Sequence, residues 1–248
     1  MTGADWLGDL RVISSMLRGL PTQGGAASQL GQFYAPQAAD YDRFRERLLL
    51  GRRELLGLLR LEAGDRVIEF GAGTGRMLGW YGASLPTLAR VDLVDLCEPL
   101  LAVAQERASA WPNVAVHMAD ACSWQPAVPA SKVYFSYALS MIPAWFAAID
   151  NAERALEPGG LIGVVDFQVA PRGGSAQGFA QGRLARHLWP LWFDHDGVRL
   201  SPDVLAYLQY RFETVELREA RAPIPYLPGL RVPYFQFIGR KRVQGETA

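Results

Sequence analysis

The sequence predicts an α/β fold: a mostly parallel, seven-stranded sheet with helices on both faces. Three observations lead there. From residue 66 onward, short β-rich runs alternate with segments that suit helices, the order expected of strands joined by crossover helices. The first run ends directly in a glycine-rich turn, a junction at which open α/β sheets bind ligands. At 248 residues, half of them hydrophobic and a fifth charged, the chain has the length and composition of one large folded domain.

The expected strands are residues 66–70, 91–95, 114–118, 132–137 and 161–166, followed by 212–218 and 232–239. A helix opened by Ser201-Pro202-Asp203 leads into the last two, with Ser201 able to cap and Pro202 suited to the first turn. Ahead of the sheet, Trp6, Leu10, Ile13, Leu17 and Leu20 share one helical face, opposite Asp5, Asp9, Arg11 and Arg18. The Gly-rich stretch 21–27 ends that helix, and a second helical pattern with Phe44, Leu48, Leu55 and Leu59 runs over residues 41–59. Residues 1–60 are therefore expected to form an N-terminal helical cap and lid. Residues 61–248 form the main domain, with an insertion at about 168–200 between strands five and six.

Lys plus Arg and Asp plus Glu both number 25, and no basic run offers a phosphate-tracking groove, so nucleic acid is excluded as a partner. Cys97 and Cys122 stand in no metal-ligand spacing and are too few for a disulfide scaffold, which makes a reducing cytoplasm the expected setting. The N-terminus, with Asp5 and Asp9, does not read as a secretory signal. The uncharged run 133–149 contains Ser136, Ser140 and Pro143 and fits a strand, loop and helix better than a membrane span.

The chemistry-bearing segment is Val67-Ile68-Glu69-Phe70-Gly71-Ala72-Gly73-Thr74-Gly75, an apolar strand running into a turn, with a short helix expected at residues 76–81. Glycines there let backbone approach a ligand closely. A dinucleotide fingerprint would place its third glycine at position 76, which is Arg76; here Gly71, Gly73 and Gly75 alternate instead. Strand two ends at Asp95, about twenty residues past the turn, where a carboxylate can accept both ribose hydroxyls, and Leu96 follows as an apolar cover for adenine. Asp92 and Glu98 compete with Asp95 for the ribose, and Asp95 could instead cap the helix beginning near Pro99.

This turn resembles motif I of the Rossmann-like, class I S-adenosylmethionine-dependent methyltransferases. The resemblance implies S-adenosyl-L-methionine as cofactor, with Glu69 orienting its methionyl end and Gly71, Ala72 and Gly73 against its backbone. Asp120 and Ala121, after strand three, stand where this family contacts the adenine amino group, although Asp120 could also cap a loop. Ser136, Tyr137, Ser140 and Met141 follow strand four at the ligand-binding edge, and Glu157-Pro158-Gly159-Gly160 is a turn many methyltransferases share.

The chain is more closely similar to the N-methyltransferase family of betaine-lipid synthesis, which converts diacylglyceryl-homoserine to its N,N,N-trimethyl form. Three segments carry this: Phe33-Tyr34 through Tyr41-Asp42-Arg43-Phe44-Arg45 with Leu50-Gly51-Arg52; residues 136–143; and the C-terminal part from Trp192-Phe193-Asp194-His195-Asp196-Gly197-Val198 to Pro225-Tyr226-Leu227-Pro228 and Pro233-Tyr234. The resemblance implies three successive methylations of a lipid with a homoserine headgroup. It also implies peripheral contact at the inner membrane face, for which the stretch 189–193 with Trp189 and Trp192 offers an interfacial surface. A soluble amine or hydroxyl acceptor on the same fold is the alternative.

Transfer to nitrogen needs a neutral amine aligned with the sulfonium methyl, and no metal. His195, Asp194 or a tyrosine is placed to accept the departing proton. The aromatic faces of Tyr34, Tyr41 and Tyr137 suit a nitrogen becoming quaternary, or else pack in the core. Tyr41 and Arg45 lie in a region that folds over the cofactor in related enzymes; Arg45, Arg199 and Arg231 are candidates for a headgroup carboxylate. Asp194-His195-Asp196 is not a metal cluster, since three adjacent residues cannot all aim at one ion from regular structure. His117 and His187 lack acidic neighbours in sequence, and Asp166 ends strand five either facing the acceptor or capping a loop.

Overall fold

The computed structural model describes residues 46, 48–169, 198–223 and 230–243. Their centre is a seven-stranded sheet in the order β3-β2-β1-β4-β5-β7-β6. The strands are β1 (Arg66–Phe70), β2 (Arg90–Asp95), β3 (Val114–Met118), β4 (Ala130–Ser136), β5 (Leu156–Phe167), β6 (Glu213–Pro223) and β7 (Arg231–Arg240). The first five pair in parallel, and β7 runs antiparallel to both β5 and β6. All seven predicted strands are present.

β1 shows why the sheet has two covered faces. Val67, Ile68, Glu69 and Phe70 are all buried, so the strand reads as a continuous run, as parallel strands packed on both sides do. Neighbouring residues still diverge: Val67 joins one core with Leu55, Leu59, Leu93 and Leu101, and Ile68 joins the other with Ile149, Leu208 and Phe212. The first core takes α1 (Arg52–Leu59) and α2 (Glu98–Ala108); the second takes α3 (Trp145–Ala155) and α4 (Asp203–Arg211).

Three local expectations are corrected. The helix read over residues 41–59 does not run through, because Gly51 adopts φ 83, a left-handed backbone from which α1 then starts. The segment after the glycine turn forms two 3-10 helices, Arg76–Trp80 and Gly82–Thr87, where Gly79, Gly82 and Pro86 interrupt any longer helix. The turn Glu157-Pro158-Gly159-Gly160 lies inside β5 as a bulge: Leu156 pairs with Ala130 and Leu161 with Lys132. The cap expected over residues 1–45 and the heart of the expected insertion, residues 170–197, fall outside the described residues.

α1 is seated by complementary shapes. Leu59 is fully buried, and a Cβ added to Gly163 on β5 would meet three of its side-chain carbons at 3.0–3.1 Å. Leu59→Ala is expected to lower unfolding free energy by about 2–5 kcal/mol, measured by urea titration.

Candidate active site

At the carboxyl ends of β1 to β4 lies a cleft of about 330 Å³. Sheet order lays out its wall: Asp120 and Cys122 follow β3, Asp95 and Leu96 follow β2, the glycine turn follows β1, and Ser136 and Tyr137 close β4. Of the predicted cofactor residues, Gly71, Ala72, Gly73, Asp95, Leu96, Asp120, Ala121, Ser136, Tyr137 and Met141 line the cleft. Glu69 and Ser140 do not.

The turn is built for close approach. Gly71 has φ 72, and a Cβ there would lie 2.4 Å from the Cβ of Ala138. Gly75, with φ 65, packs against Ala104 of α2 with a virtual Cβ at 3.2 Å. One carboxylate fixes the turn from across the strand ends: Asp95 accepts the Gly73 N–H at 2.7 Å on one oxygen and the Cys97 N–H at 2.8 Å on the other. Asp95 thus braces the turn and also lines the cleft. Its rivals are engaged elsewhere: Asp92 accepts from Arg90 at 2.9 Å and lies 2.8 Å from His117, and Glu98 sits exposed in the first turn of α2. His117, isolated from acids in the sequence, thus meets one across the β2–β3 pair.

Beyond β3, Asp120 takes up the capping role read from the sequence while standing on the cleft wall. Its side chain accepts the Cys122 N–H at 2.8 Å, an Asx turn. Both cysteines are on the wall, and burial pushes each thiol up to about 11, so both stay protonated at neutral pH.

The β4 end carries a cation that sequence reasoning missed. Arg52, the first residue of α1, is buried, donates from Nε to Ser136 Oγ at 3.0 Å, and lies over the Trp80 ring at 5.2 Å. The sequence offered it only within the segment Leu50-Gly51-Arg52, with no role; the contact itself bridges 84 positions. Leu49 lines the same end. Tyr137 has φ 55, donates its phenol to the Leu50 carbonyl at 2.7 Å and packs edge-on to Phe167 at 4.7 Å. Burial, with the nearby Asp166 charge, holds its phenol well above the usual range. Arg199 and Arg231, candidates for a carboxylate, are exposed and not on this wall, while Tyr34, Tyr41, Arg45 and His195 lie outside the described residues.

Two buried acids stand off the wall. Asp166 accepts the Ser140 N–H at 3.0 Å and the Phe167 N–H at 2.8 Å, so it holds the loop after β4 and does not face an acceptor. Burial raises it to about 6 against the pull of those bonds. Glu69 accepts the Tyr134 phenol at 2.8 Å, and the Tyr134 and Tyr81 hydroxyls are 2.9 Å apart. Burial drives Glu69 up to about 8, outweighing the Tyr134 hydrogen bond and the Arg52 charge. Among the described residues, no group of three or more His, Cys, Asp or Glu is arranged to hold a metal ion.

Glu69 makes stability pH-dependent with a definite sign. The folded form keeps its proton up to about pH 8, whereas the unfolded carboxyl loses it near 4.5. Stability from this group is therefore full below the lower value and is lost as pH rises through the higher one. Relative to Glu69→Gln, wild-type unfolding free energy should fall by about 1 kcal/mol per pH unit between roughly pH 5.5 and 7.5. Parallel urea titrations across that window read the slope, and a flat difference would refute the buried protonated acid.

A family model described as a methyltransferase domain matches residues 41–201. The trans-aconitate 2-methyltransferase of Methylobacterium nodulans is 30% identical over 127 residues, covering 51% of this chain and 48% of that protein. The protein of the same name in Rhizobium etli is 26% identical over 170 residues, covering 66% and 62%. The chain thus spans about half to three-fifths of the length of these curated relatives. Among solved structures, the N-methyltransferase NodS of Bradyrhizobium japonicum in complex with S-adenosyl-L-homocysteine has a TM-score of 0.62 at 17% identity, covering 86% of this chain and 98% of that one. Haemonchus contortus phosphoethanolamine N-methyltransferase 2 in complex with S-adenosyl-L-methionine gives 0.66 at 15%, covering 90% and 61%. At such identities the likeness is one of fold. The family match runs through the glycine turn, every strand end that lines the cleft and the start of α1, and the chain belongs to the methyltransferase domain family, in the S-adenosylmethionine-dependent class with the Rossmann-like fold.

Proposed function

We propose that this methyltransferase acts on nitrogen, taking the amino group of diacylglyceryl-homoserine through three successive methylations at the cytoplasmic membrane face. The observation that carries the reading is a convergence. Described residues of the segments that resemble the betaine-lipid N-methyltransferases, 50–52, 136–137 and 234, are far apart in sequence yet meet beside the end of β4. Leu50 accepts from Tyr137, Arg52 donates to Ser136, and a Cβ on Gly51 would come 2.7 Å from the Tyr234 ring.

The cofactor fits the polarity of the wall. Acids stand at the β2 and β3 ends and a buried guanidinium at the β4 end, matching a ligand with hydroxyl and amino donors on its nucleoside and a carboxylate on its amino-acid end. Asp95 would hold the ribose, Asp120 the adenine amino group and Arg52 the methionyl carboxylate. When bound, the cofactor supplies an electrophilic methyl carbon. The protein's part is to align a neutral amine with it and exclude water. Tyr137 is no base for that amine, since its phenol is high in pKa and already donates to Leu50. His195, Tyr34 and Tyr41 retain that proposed role, and Arg45 a proposed hold on the cofactor.

A two-chain acceptor requires work at a membrane surface, although among the described residues no helix is long and apolar enough to cross one. The curated relatives favour a second reading, a soluble acceptor that bears carboxylates, because those proteins are named for trans-aconitate. Mass spectrometry after incubation with S-adenosyl-L-methionine and either diacylglyceryl-homoserine vesicles or soluble acceptors, trans-aconitate included, separates the two. Products one, two and three methyl groups heavier in the lipid arm are expected; methylation confined to a soluble acceptor would overturn the lipid reading. Arg52→Ala is expected to weaken S-adenosyl-L-homocysteine binding about 10- to 100-fold, as loss of a charge-assisted carboxylate contact does, measured by calorimetry.

A further inference from the structure

Three consecutive residues, 50 to 52, are each tied to the carboxyl edge of the sheet. The Leu50 carbonyl accepts the Tyr137 phenol at 2.7 Å. The Gly51 carbonyl accepts Gln236 Nε2 from β7 at 2.8 Å as well as the Leu55 N–H at 3.0 Å. Arg52 donates to Ser136 at 3.0 Å. Ser136 and Tyr137 are themselves adjacent, so one dipeptide at the end of β4 grips the chain on either side of Gly51.

Tyr137 does so at a cost in backbone conformation. It and Arg60 are the two non-glycine residues with positive φ among those described, and Arg60 merely ends α1. A bulky side chain in the left-handed region persists only where its surroundings hold it there. Around Tyr137 they do: its N–H donates to the Val165 carbonyl at 2.7 Å, its ring packs on Phe167, and Asp166 holds the Ser140 N–H just beyond. The residue is held at its amide and its ring, and its phenol reaches the Leu50 carbonyl.

We propose that Tyr137 is a positioning residue: it clasps the chain at Leu50 and thereby sets Arg52 on the cleft wall for the cofactor's carboxylate. Its side chain acts through Arg52 and not on the reacting atoms. This rests on the assignment of Arg52 to that carboxylate, and the two fail in different ways.

The test is a double-mutant cycle on the full chain, with S-adenosyl-L-homocysteine affinity read by calorimetry and folding checked by circular dichroism. Tyr137→Phe keeps the ring and deletes the bond to Leu50, and it should weaken binding about tenfold with Arg52 present. In the Arg52→Ala background the same change should matter by less than about twofold. In turnover, the cofactor KM should rise by more than kcat falls. Tyr137→Asn, whose side chain tolerates the left-handed backbone, is the second variant should the first fail to fold, with the same dependence on Arg52 expected. Equal weakening in both backgrounds, or none in either, sinks the clasp alone. Unchanged affinity in Arg52→Ala sinks the carboxylate assignment itself.

Discussion

The carboxylate of Asp95 is the interaction on which the cleft depends. Its two oxygens accept N–H groups from Gly73 and Cys97, so a single side chain locks the turn after β1 to the turn after β2. Without an acceptor there, the Gly73 amide, on a backbone at φ 54, would turn an unmade hydrogen bond toward the cleft. The sheet makes the arrangement available: β1 and β2 pair in parallel and in register, Phe70 beside Val94, so their carboxyl ends finish level and one aspartate can reach across. The side chain that braces the two strand ends therefore also lines the cleft between them.

From that brace the wall acquires its polarity. Moving along the strand order β3, β2, β1, β4, the cleft passes from Asp120 and Asp95 through bare backbone to Arg52. Bare backbone in the middle is a matter of space: a side chain on Gly71 would collide with Ala138, so the approach left there suits a ligand and nothing bulkier. The remaining acids of the region, Glu69 and Asp166, are withdrawn behind the surface, and burial holds both above the usual carboxylate range. The charges presented at the wall are accordingly those at its two ends. That polarity distinguishes the two ends of the cleft.

The strands were legible because burial on both faces leaves short apolar runs, and the place of Asp95 on the cleft because the strand next to the glycine turn ends at the same edge of the sheet. Gly51 shows what was not. Leu48, Leu55 and Leu59 keep helical spacing across it, and hydrophobic period is blind to a single backbone reversal at a glycine whose carbonyl accepts from both Leu55 and Gln236. Arg52 was invisible for the related reason that its meaning lies in Ser136 and Trp80, and His117 because its acid, Asp92, arrives across a strand pair. The glycine motif did suggest that Glu69 touches the ligand, but its spacing cannot tell a side chain on the wall from one turned inward to Tyr134.

That inward turn matters to the site even so. Glu69, Tyr134 and Tyr81 form a buried polar chain beneath the cleft, and the Arg52 charge acts on Glu69 as a stabilising influence on its ionised form. The influence is reciprocal, because an interaction that lowers one group's pKa must favour the other's charge by the same free energy. A carboxylate ligand that engages Arg52 would compete for that charge and raise the proton affinity of Glu69 further, while a protonated Glu69 makes no such claim on the guanidinium. Burial thus keeps the Glu69 carboxyl neutral beneath the β4 end, where Arg52 donates to a hydroxyl and lies over an aromatic face.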